Sequence, residues 1–268
     1  MIAQYQDRLR ARAGSMLLSL ETRLDRIMQF WLLLAGIACA ARIAWSPTRG
    51  EVDVGTILPY VLLIIAPFAS MVLAMRWFSN GDNMPQPGVR LARLGNWRIV
   101  ELEQARQHAL YGAGGMMVSL LVGLLLNVPM RALEYLAAMP ALSGSIPPWL
   151  STLNLLMTFD VVLFTSLYAV AFVAALRRVP LFPRLLAAIW VCDLVMQAAT
   201  IKIVMATPGL PDSVAMPLHT LLDGNIQKVM ISVAIWLPYL LFSKRVNVTY
   251  RHRVSENRVA PIRLNNRN

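Results

Sequence analysis

The chain has 268 residues, of which 57% are hydrophobic and 15% charged, and its mean hydropathy is +0.55. A soluble domain of this length cannot bury so much apolar surface, so this composition excludes an ordinary soluble globular protein. The net charge of +11 is typical either of a nucleic-acid-binding protein or of a membrane protein that keeps Arg and Lys on its cytoplasmic side. Continuous, helix-length apolar runs favour the second explanation and exclude a β-barrel. Nucleic acid is therefore not expected as a partner.

The predicted elements begin with an amphipathic segment, residues 1–26, in which leucines recur at helical spacing and arginines occupy other faces. We expect a helix that lies in the cytoplasmic headgroup region or packs on another cytoplasmic loop. Residues 27–78 form a two-span unit, and a basic cytoplasmic loop, residues 79–108, follows it. The first span is expected to stay in the mature protein, because no signal-peptide cleavage site follows it.

Four further spans are predicted within residues 109–243, and residues 244–268 form a basic cytoplasmic tail. The predicted spans are 27–45, 57–77, 109–127, 149–176, 185–206 and 225–243. With a cytoplasmic N-terminus, every cytoplasmic segment contains several Arg or Lys residues, whereas the opposite side holds little more than Arg42, Arg49 and Arg131. The positive-inside rule thus predicts an all-α bundle of six transmembrane helices with both termini cytoplasmic, in a bacterial inner membrane.

Small residues recur along one face of the third predicted span, where Gly115, Ser119 and Gly123 follow one another at four-residue steps. Such a ridge lets the backbone of another helix approach closely. We expect it to serve helix packing.

Three motifs lie between Gly114 and Tyr250. The first is Gly114-Gly115 at the start of a span that continues with Leu121 to Leu124. The second is Arg177-Arg178 with Phe182-Pro183, and the third joins Trp236, Pro238 and Tyr239 to Ser243, Lys244, Arg245, Thr249 and Tyr250. In these motifs the chain resembles the domain of unknown function 2569 family, over residues 109–250. The family usually has Phe where this chain has Tyr250. The resemblance implies a four-span inner-membrane unit and supplies no catalytic residues.

Polar side chains inside the predicted spans are candidates for a functional site, because charged groups are costly there. They are Asp160, Asp193, Gln197, Thr200, Lys202 and Lys228. Gln197 and Thr200 follow Asp193 at i+4 and i+7 on one helix face, whereas Lys202 lies on roughly the opposite face. Asp160 needs a partner from another span, and Lys202 or Lys228 can reach toward it. Two interpretations stay open: a proton or ion relay or polar substrate site, and interhelical bonds that fix packing.

Signatures of an enzyme are scarce. The three histidines are isolated, and the chain has no phosphate-binding loop, dinucleotide fingerprint or nucleophile elbow. His219 lies between Asp212 and Asp223 in a predicted outer loop, but an ordinary polar loop is the favoured interpretation of this group. The sequence predicts no catalytic residue, no metal and no cofactor.

The favoured function is a non-enzymatic accessory or assembly component of the membrane. Its expected partners are anionic headgroups at the cytoplasmic face and another membrane protein or a second copy. The alternative is a small-solute or proton-coupled carrier that uses Asp160, Asp193 and Lys202. A carrier should bring polar stripes together at mid-membrane, whereas an accessory component should show paired aspartates and an exposed small-residue ridge. The lack of an obvious internal repeat counts against the carrier.

Overall fold

The computed structural model describes residues 2–46, 53–88, 95–144 and 146–256, which form a helical bundle with one small sheet. Within these ranges, six helices are long and apolar enough to cross a membrane. They are α1 (Ile2–Ala44), α2 (Val54–Trp77), α4 (Met116–Ala138), α5 (Pro148–Leu176), α6 (Phe182–Met205) and α7 (Asp212–Phe242). A helix satisfies its own backbone groups, which an apolar run in lipid requires. The prediction of a multi-pass helical membrane protein is confirmed.

Three predicted helix boundaries differ from the structure. α1 is one continuous helix, so no helix ends at residue 26. α4 begins at Met116 and continues through Pro129 to Ala138, whereas the predicted span was 109–127. α7 begins at Asp212, so the predicted outer loop before residue 225 is helical. A proline removes one backbone hydrogen bond, and membrane helices tolerate this loss where neighbouring groups compensate for it.

α5 is the central helix of the bundle, since it packs against α2, α4 and α6. Its second half is buried on nearly all sides and includes Phe164 and Phe172, both fully buried. Small side chains near its end, among them Ala171 and Ala174, allow neighbouring backbones to approach closely. α1 packs on α2 and α4, and α7 packs on α6. Of the α7 side chains, those of Leu222, Val229 and Leu240 are buried, so most of this helix faces outward.

The outer surface of the bundle is apolar. Large exposed hydrophobic side chains occur on every spanning helix, for example Leu33, Leu62, Leu126, Phe159, Val195 and Ile231. An apolar belt of this extent is expected of a surface that faces lipid tails rather than water.

The two N-terminal spans are joined to the following spans by polar contacts near the α4–α5 connection. Arg42 Nε donates to the carbonyl of Met139 at 3.0 Å, and Thr56 Oγ1 donates to the carbonyl of Leu142 at 2.6 Å. Asp53 Oδ1 accepts from the backbone amide of Thr56 and thereby caps the first turn of α2.

The opposite end of the bundle, which we call the basic end, holds most of the described Arg and Lys residues. It includes Arg76, Arg106, Arg177, Arg178, Arg184, Lys244, Arg245, Arg251 and Arg253. Here α3 (Leu102–Arg106) contacts α8 (Lys244–Arg251), and the strands β1 (Trp97–Ile99) and β2 (Arg253–Ser255) pair antiparallel. This sheet of two three-residue strands is a small addition to a bundle that is helical, as predicted.

The beginning of the predicted basic tail is folded rather than free. α8 is buried from Val246 to Arg251, and His252, with a φ of 48°, ends it and leads into β2. Val246 and Tyr250, one helical turn apart, belong to the hydrophobic core together with residues of the spanning helices. The basic composition of the segment does not indicate this burial. Residues 257–268 lie outside the described residues, as do residues 89–94 of the predicted basic loop.

Candidate functional site

The candidate site is centred on Arg131, which α4 places inside the bundle because that helix continues past Pro129. At 1.5 Å per residue, Arg131 lies roughly 22 Å along α4 from the basic end, within a hydrocarbon layer of about 30 Å. Its Nη1 donates to Asp160 Oδ2 of α5 at 3.0 Å, and its Nη2 donates to Asp193 Oδ2 of α6. One guanidinium therefore links three helices.

Aromatic rings and further donors complete the surroundings of the three charges. The guanidinium carbon of Arg131 lies 4.9 Å from the ring centre of Phe164 and 5.6 Å from that of Tyr168. The Tyr168 hydroxyl also donates to Asp193 at 3.2 Å. The side chains of Arg131 and Asp160 are 12% and 14% exposed, whereas that of Asp193 is fully buried. Such a desolvated, charge-assisted cluster is much stronger than a surface ion pair.

Gln197 extends the cluster along the polar face of α6, since its Nε2 donates to Asp160 Oδ1 at 2.9 Å. Three buried oxygens on this face, Asp193 Oδ1, Gln197 Oε1 and Thr200 Oγ1, have no hydrogen-bond partner among the described residues. Buried acceptors are nearly always bonded in proteins. The polar face of α6 therefore has unused capacity to accept hydrogen bonds.

A cleft of about 780 Å³ leads to this cluster between α4, α5 and the first half of α7. Arg131 and Asp160 line it, together with a second ion pair in which Lys228 Nζ donates to Glu134. The walls of the cleft are mainly apolar, and their apolar residues include Met157, Val161, Met216 and Leu221. A volume of this size is typical of sites that bind small molecules.

The structure brings together some of the predicted polar residues and not others. Asp160, Asp193 and Gln197 form the cluster, and Thr200 lies on the same face of α6. Lys202 is exposed and lies outside the cleft.

The expected partner of Asp160 was wrong. Neither Lys202 nor Lys228 binds this carboxylate. Lys228 pairs with Glu134, and Arg131 is the cation that binds Asp160. The sequence prediction ends the third span at residue 127, just before Pro129, and therefore assigns Arg131 to the outer side. Apolar residues that continue at helical spacing beyond Pro129, such as Leu133 and Leu136, are the signal that could have placed Arg131 inside.

The small-residue ridge faces away from the bundle. Ser119 and Gly123 are exposed, and the space where a Cβ of Gly123 would lie has no atom within 4 Å. Gly115 differs, since it caps α4 with a φ of 63° and lies beside the Arg245 side chain. No described helix packs on Ser119 or Gly123, so packing by this ridge stays a prediction about another molecule.

The three motifs of the sequence converge at the basic end. Arg245 Nη1 donates to the carbonyl of Gly112 at 3.3 Å, and the Tyr250 hydroxyl donates to the carbonyl of Ala175 at 2.7 Å. The Tyr250 ring packs on Phe182 with ring centres 5.1 Å apart. These contacts join the end of α7 and α8 to the starts of α4 and α6.

The rest of the third motif lies where α7 meets α8. Trp236 and Tyr239 pack edge to face at 6.0 Å, and Pro238 is exposed on the last turns of α7. Ser243 caps α8 and Lys244 is exposed. Complete burial raises the pKa of the Tyr250 hydroxyl, which therefore stays a neutral donor. The motif as a whole holds helix ends together.

A polar turn at the same end contains a second linked group. Asp82 accepts hydrogen bonds from Arg106 at 2.9 Å and from the Tyr111 hydroxyl at 3.2 Å. Burial by itself would raise the pKa of Asp82, but the hydrogen bonds and charge of Arg106 outweigh it and lower that pKa.

His219 pairs with Asp223 at 2.9 Å on an exposed turn of α7. Among the described residues, no group of three or more His, Cys, Asp or Glu side chains is arranged to hold a metal ion.

The fold and this site define a class: a multi-pass membrane protein whose spanning helices enclose a charged cluster at the base of a cleft. A family model described as "Protein of unknown function (DUF2569)" matches residues 110–251, more than half of the chain. The protein belongs to this family, which confirms the resemblance seen in its motifs. No curated protein and no solved structure matches the chain. The matched region contains Arg131, Asp160 and Asp193.

Proposed function

We propose that this protein is a non-enzymatic carrier of a bacterial inner membrane that binds a small polar solute in the cleft. The observation that supports the proposal is the shared Arg131 guanidinium at the base of an open cleft inside the membrane. A charged group at the bilayer centre costs about 2.5–3.5 kcal/mol on insertion scales, and such groups are typical of substrate and ion pathways. A group that only fixes helix packing has no need of a cleft.

Two ion pairs that line the cleft, a buried one at its base and a largely exposed one, suit exchange of partners with a solute. Arg131 with Asp160 and Lys228 with Glu134 each present one cation and one carboxylate to the same space. A solute that carries a carboxylate or an amine can replace one member of a pair, and the pair re-forms when the solute leaves. The first half of α7 has few buried side chains, so we propose that its movement opens and closes the cleft.

The positive-inside rule gives the proposed orientation. It places the basic end in the cytoplasm, next to anionic headgroups, and directs the open part of the cleft to the other side of the membrane. Both termini are then cytoplasmic. A reporter that is active only in the cytoplasm should be active when it is fused after Asn268. Activity of a reporter that works only in the periplasm, fused at the same place, would contradict this topology.

The carrier function is tested with purified protein in liposomes on a solid-supported membrane. Small amino acids, carboxylates and amines are applied as separate panels, and the transport current is recorded. We expect a saturable current for one chemical class and a loss of at least about tenfold in the near-isosteric Asp160→Asn variant. Lys202→Gln is the matched control, because Lys202 is exposed and outside the cleft. Equal currents in the wild type and Asp160→Asn would reject the proposal.

A second candidate, the accessory or assembly component, is supported by the outward face of α4. Ser119 and Gly123 leave a groove that no described helix fills. Purification in mild detergent should then yield a stable complex that Gly123→Leu dissociates, with Gly36→Leu on α1 as the control for a change of the same size. A wild-type monomer that co-purifies with no membrane protein would argue against this candidate.

A further inference from the structure

The charges of the cluster around Arg131 do not balance, and we propose that one exchangeable proton binds this cluster at Asp160. The proposal deepens the carrier function and rests on it for its biological purpose. The proton is the coupling ion that the carrier would move with its solute.

The charge balance follows from the groups that face Asp160. Arg131 lies on α4, Asp193 lies on α6, and the Glu134–Lys228 pair joins α4 to α7 in the same cleft. The other cleft carboxylate, Asp212, lies roughly 24 Å from Lys228 along α7, at the exposed start of that helix. The remaining titratable neighbours are phenols and stay neutral. They are Tyr168 on α5, Tyr135 on α4, and Tyr60 on α2, which packs on Tyr135.

Lys228 and Glu134 form a balanced pair that is largely exposed. With every group ionised, Arg131 alone faces Asp160 and Asp193, so the buried cluster carries one excess negative charge. An unbalanced charge in a membrane interior is unfavourable. Two carboxylates that share one guanidinium also repel each other, which favours protonation of one of them. One proton removes both costs, so the cluster has capacity for a single proton.

The surroundings of the two carboxylates decide which one takes the proton. Asp193 is fully buried and accepts from Arg131 and the Tyr168 hydroxyl, and Asp160 likewise accepts from two donors, Arg131 and Gln197. The number of donors therefore does not separate the two carboxylates, whereas access to water does. Asp160 lines the cleft and is 14% exposed, so its proton can exchange with water there. Asp160 is therefore the carboxylate that gains and loses the proton.

Gln197 fits both protonation states of Asp160. Its Nε2 now donates to Asp160 Oδ1, while its own buried Oε1 has no partner among the described residues. Rotation of the amide by about 180° exchanges these two atoms, which differ little in size. The amide oxygen then accepts the O–H of a protonated Asp160. The Gln197 amide can therefore bind Asp160 in either protonation state.

The test uses a hydrophobic carbodiimide on the wild-type protein in lipid nanodiscs. A protonated carboxyl group transfers its proton to a carbodiimide nitrogen, and its oxygen adds to the central carbon. The O-acylisourea rearranges to a stable N-acylurea, which peptide mass spectrometry locates. We expect an adduct on Asp160, none on Asp193, and less labelling as the pH rises. Replacement of Na⁺ by choline should change nothing.

The Asp193→Asn variant tests the charge balance itself. With one carboxylate removed, Asp160 and Arg131 form a balanced pair, so labelling of Asp160 should fall roughly tenfold or more at the same pH. An adduct on Asp193, no adduct on either residue at any pH, or unchanged labelling in Asp193→Asn would each overturn the proposal. Protection by Na⁺ would show a metal cation in place of the proton. Labelling needs no transported solute, so its failure is distinguishable from failure of the transport assay.

Discussion

Replacement of Arg131 by methionine tests whether the buried cluster stabilises the bundle in its present form. The change removes the hydrogen bonds to Asp160 and Asp193 and leaves two buried acidic side chains without their cation. Loss of one partner of a buried ion pair typically costs 3–5 kcal/mol, and loss of the cation–π contact with Phe164 adds about 1 kcal/mol. We therefore expect Arg131→Met to lower the free energy of unfolding by about 3–6 kcal/mol.

The measurement is steric trapping in bicelles, which reports the free energy of unfolding of a membrane protein without detergent denaturation. Lys202→Met is the matched control, because it makes the same kind of change at an exposed position and should stay within about 0.5 kcal/mol of the wild type. The combined Arg131→Met, Asp160→Leu and Asp193→Leu variant should recover most of the loss, since apolar residues often replace a buried ion cluster at little cost. A decrease of less than about 1 kcal/mol in the free energy of unfolding of Arg131→Met would refute a buried cluster of Arg131, Asp160 and Asp193.

Three further predictions concern the basic end and the ridge. A Cβ on Gly81 would lie 2.6 Å from the carbonyl oxygen at the C-cap of α5, so Gly81→Ala should lower the free energy of unfolding by about 1–3 kcal/mol. Gly123→Ala is the control and should cause no loss, because a Cβ there has no atom within 4 Å. Asp82→Asn should lower the free energy of unfolding at pH 7, because it removes the ion pair with Arg106. The difference in unfolding free energy between variant and wild type should disappear as the pH falls from 3.8 through the lowered pKa of Asp82, since protonation of Asp82 then breaks the same ion pair in the wild type. Tyr250→Phe should cost only about 1–2 kcal/mol, the value of one buried hydrogen bond, because the ring and its packing remain. Unfolding curves for each variant check all three, and a stable Gly81→Ala, a pH-independent Asp82→Asn effect or an unfolded Tyr250→Phe would contradict them.

The sequence by itself determined which segments cross the membrane and which face of α6 is polar. A run of about 20 apolar residues must be helical in lipid, and this constraint acts locally, so hydropathy locates six helices. The spacing of Asp193, Gln197 and Thr200 likewise follows from the period of one helix. The three family motifs could also be read from the chain, because each is a short continuous segment.

Only the tertiary structure decided which charged groups meet. Pairing between helices joins residues far apart in the chain, so no local pattern indicated that Arg131 binds both Asp160 and Asp193. Proline lacks a backbone N–H and so removes one helical hydrogen bond, which is why the sequence suggests a helix end near Pro129. In the structure α4 continues through Pro129 and packs against α5. The same physical reason explains the outward direction of Gly123 and the buried position of α8. In each case the contacts of neighbouring helices, and not the residue types of the segment, determine which face is covered.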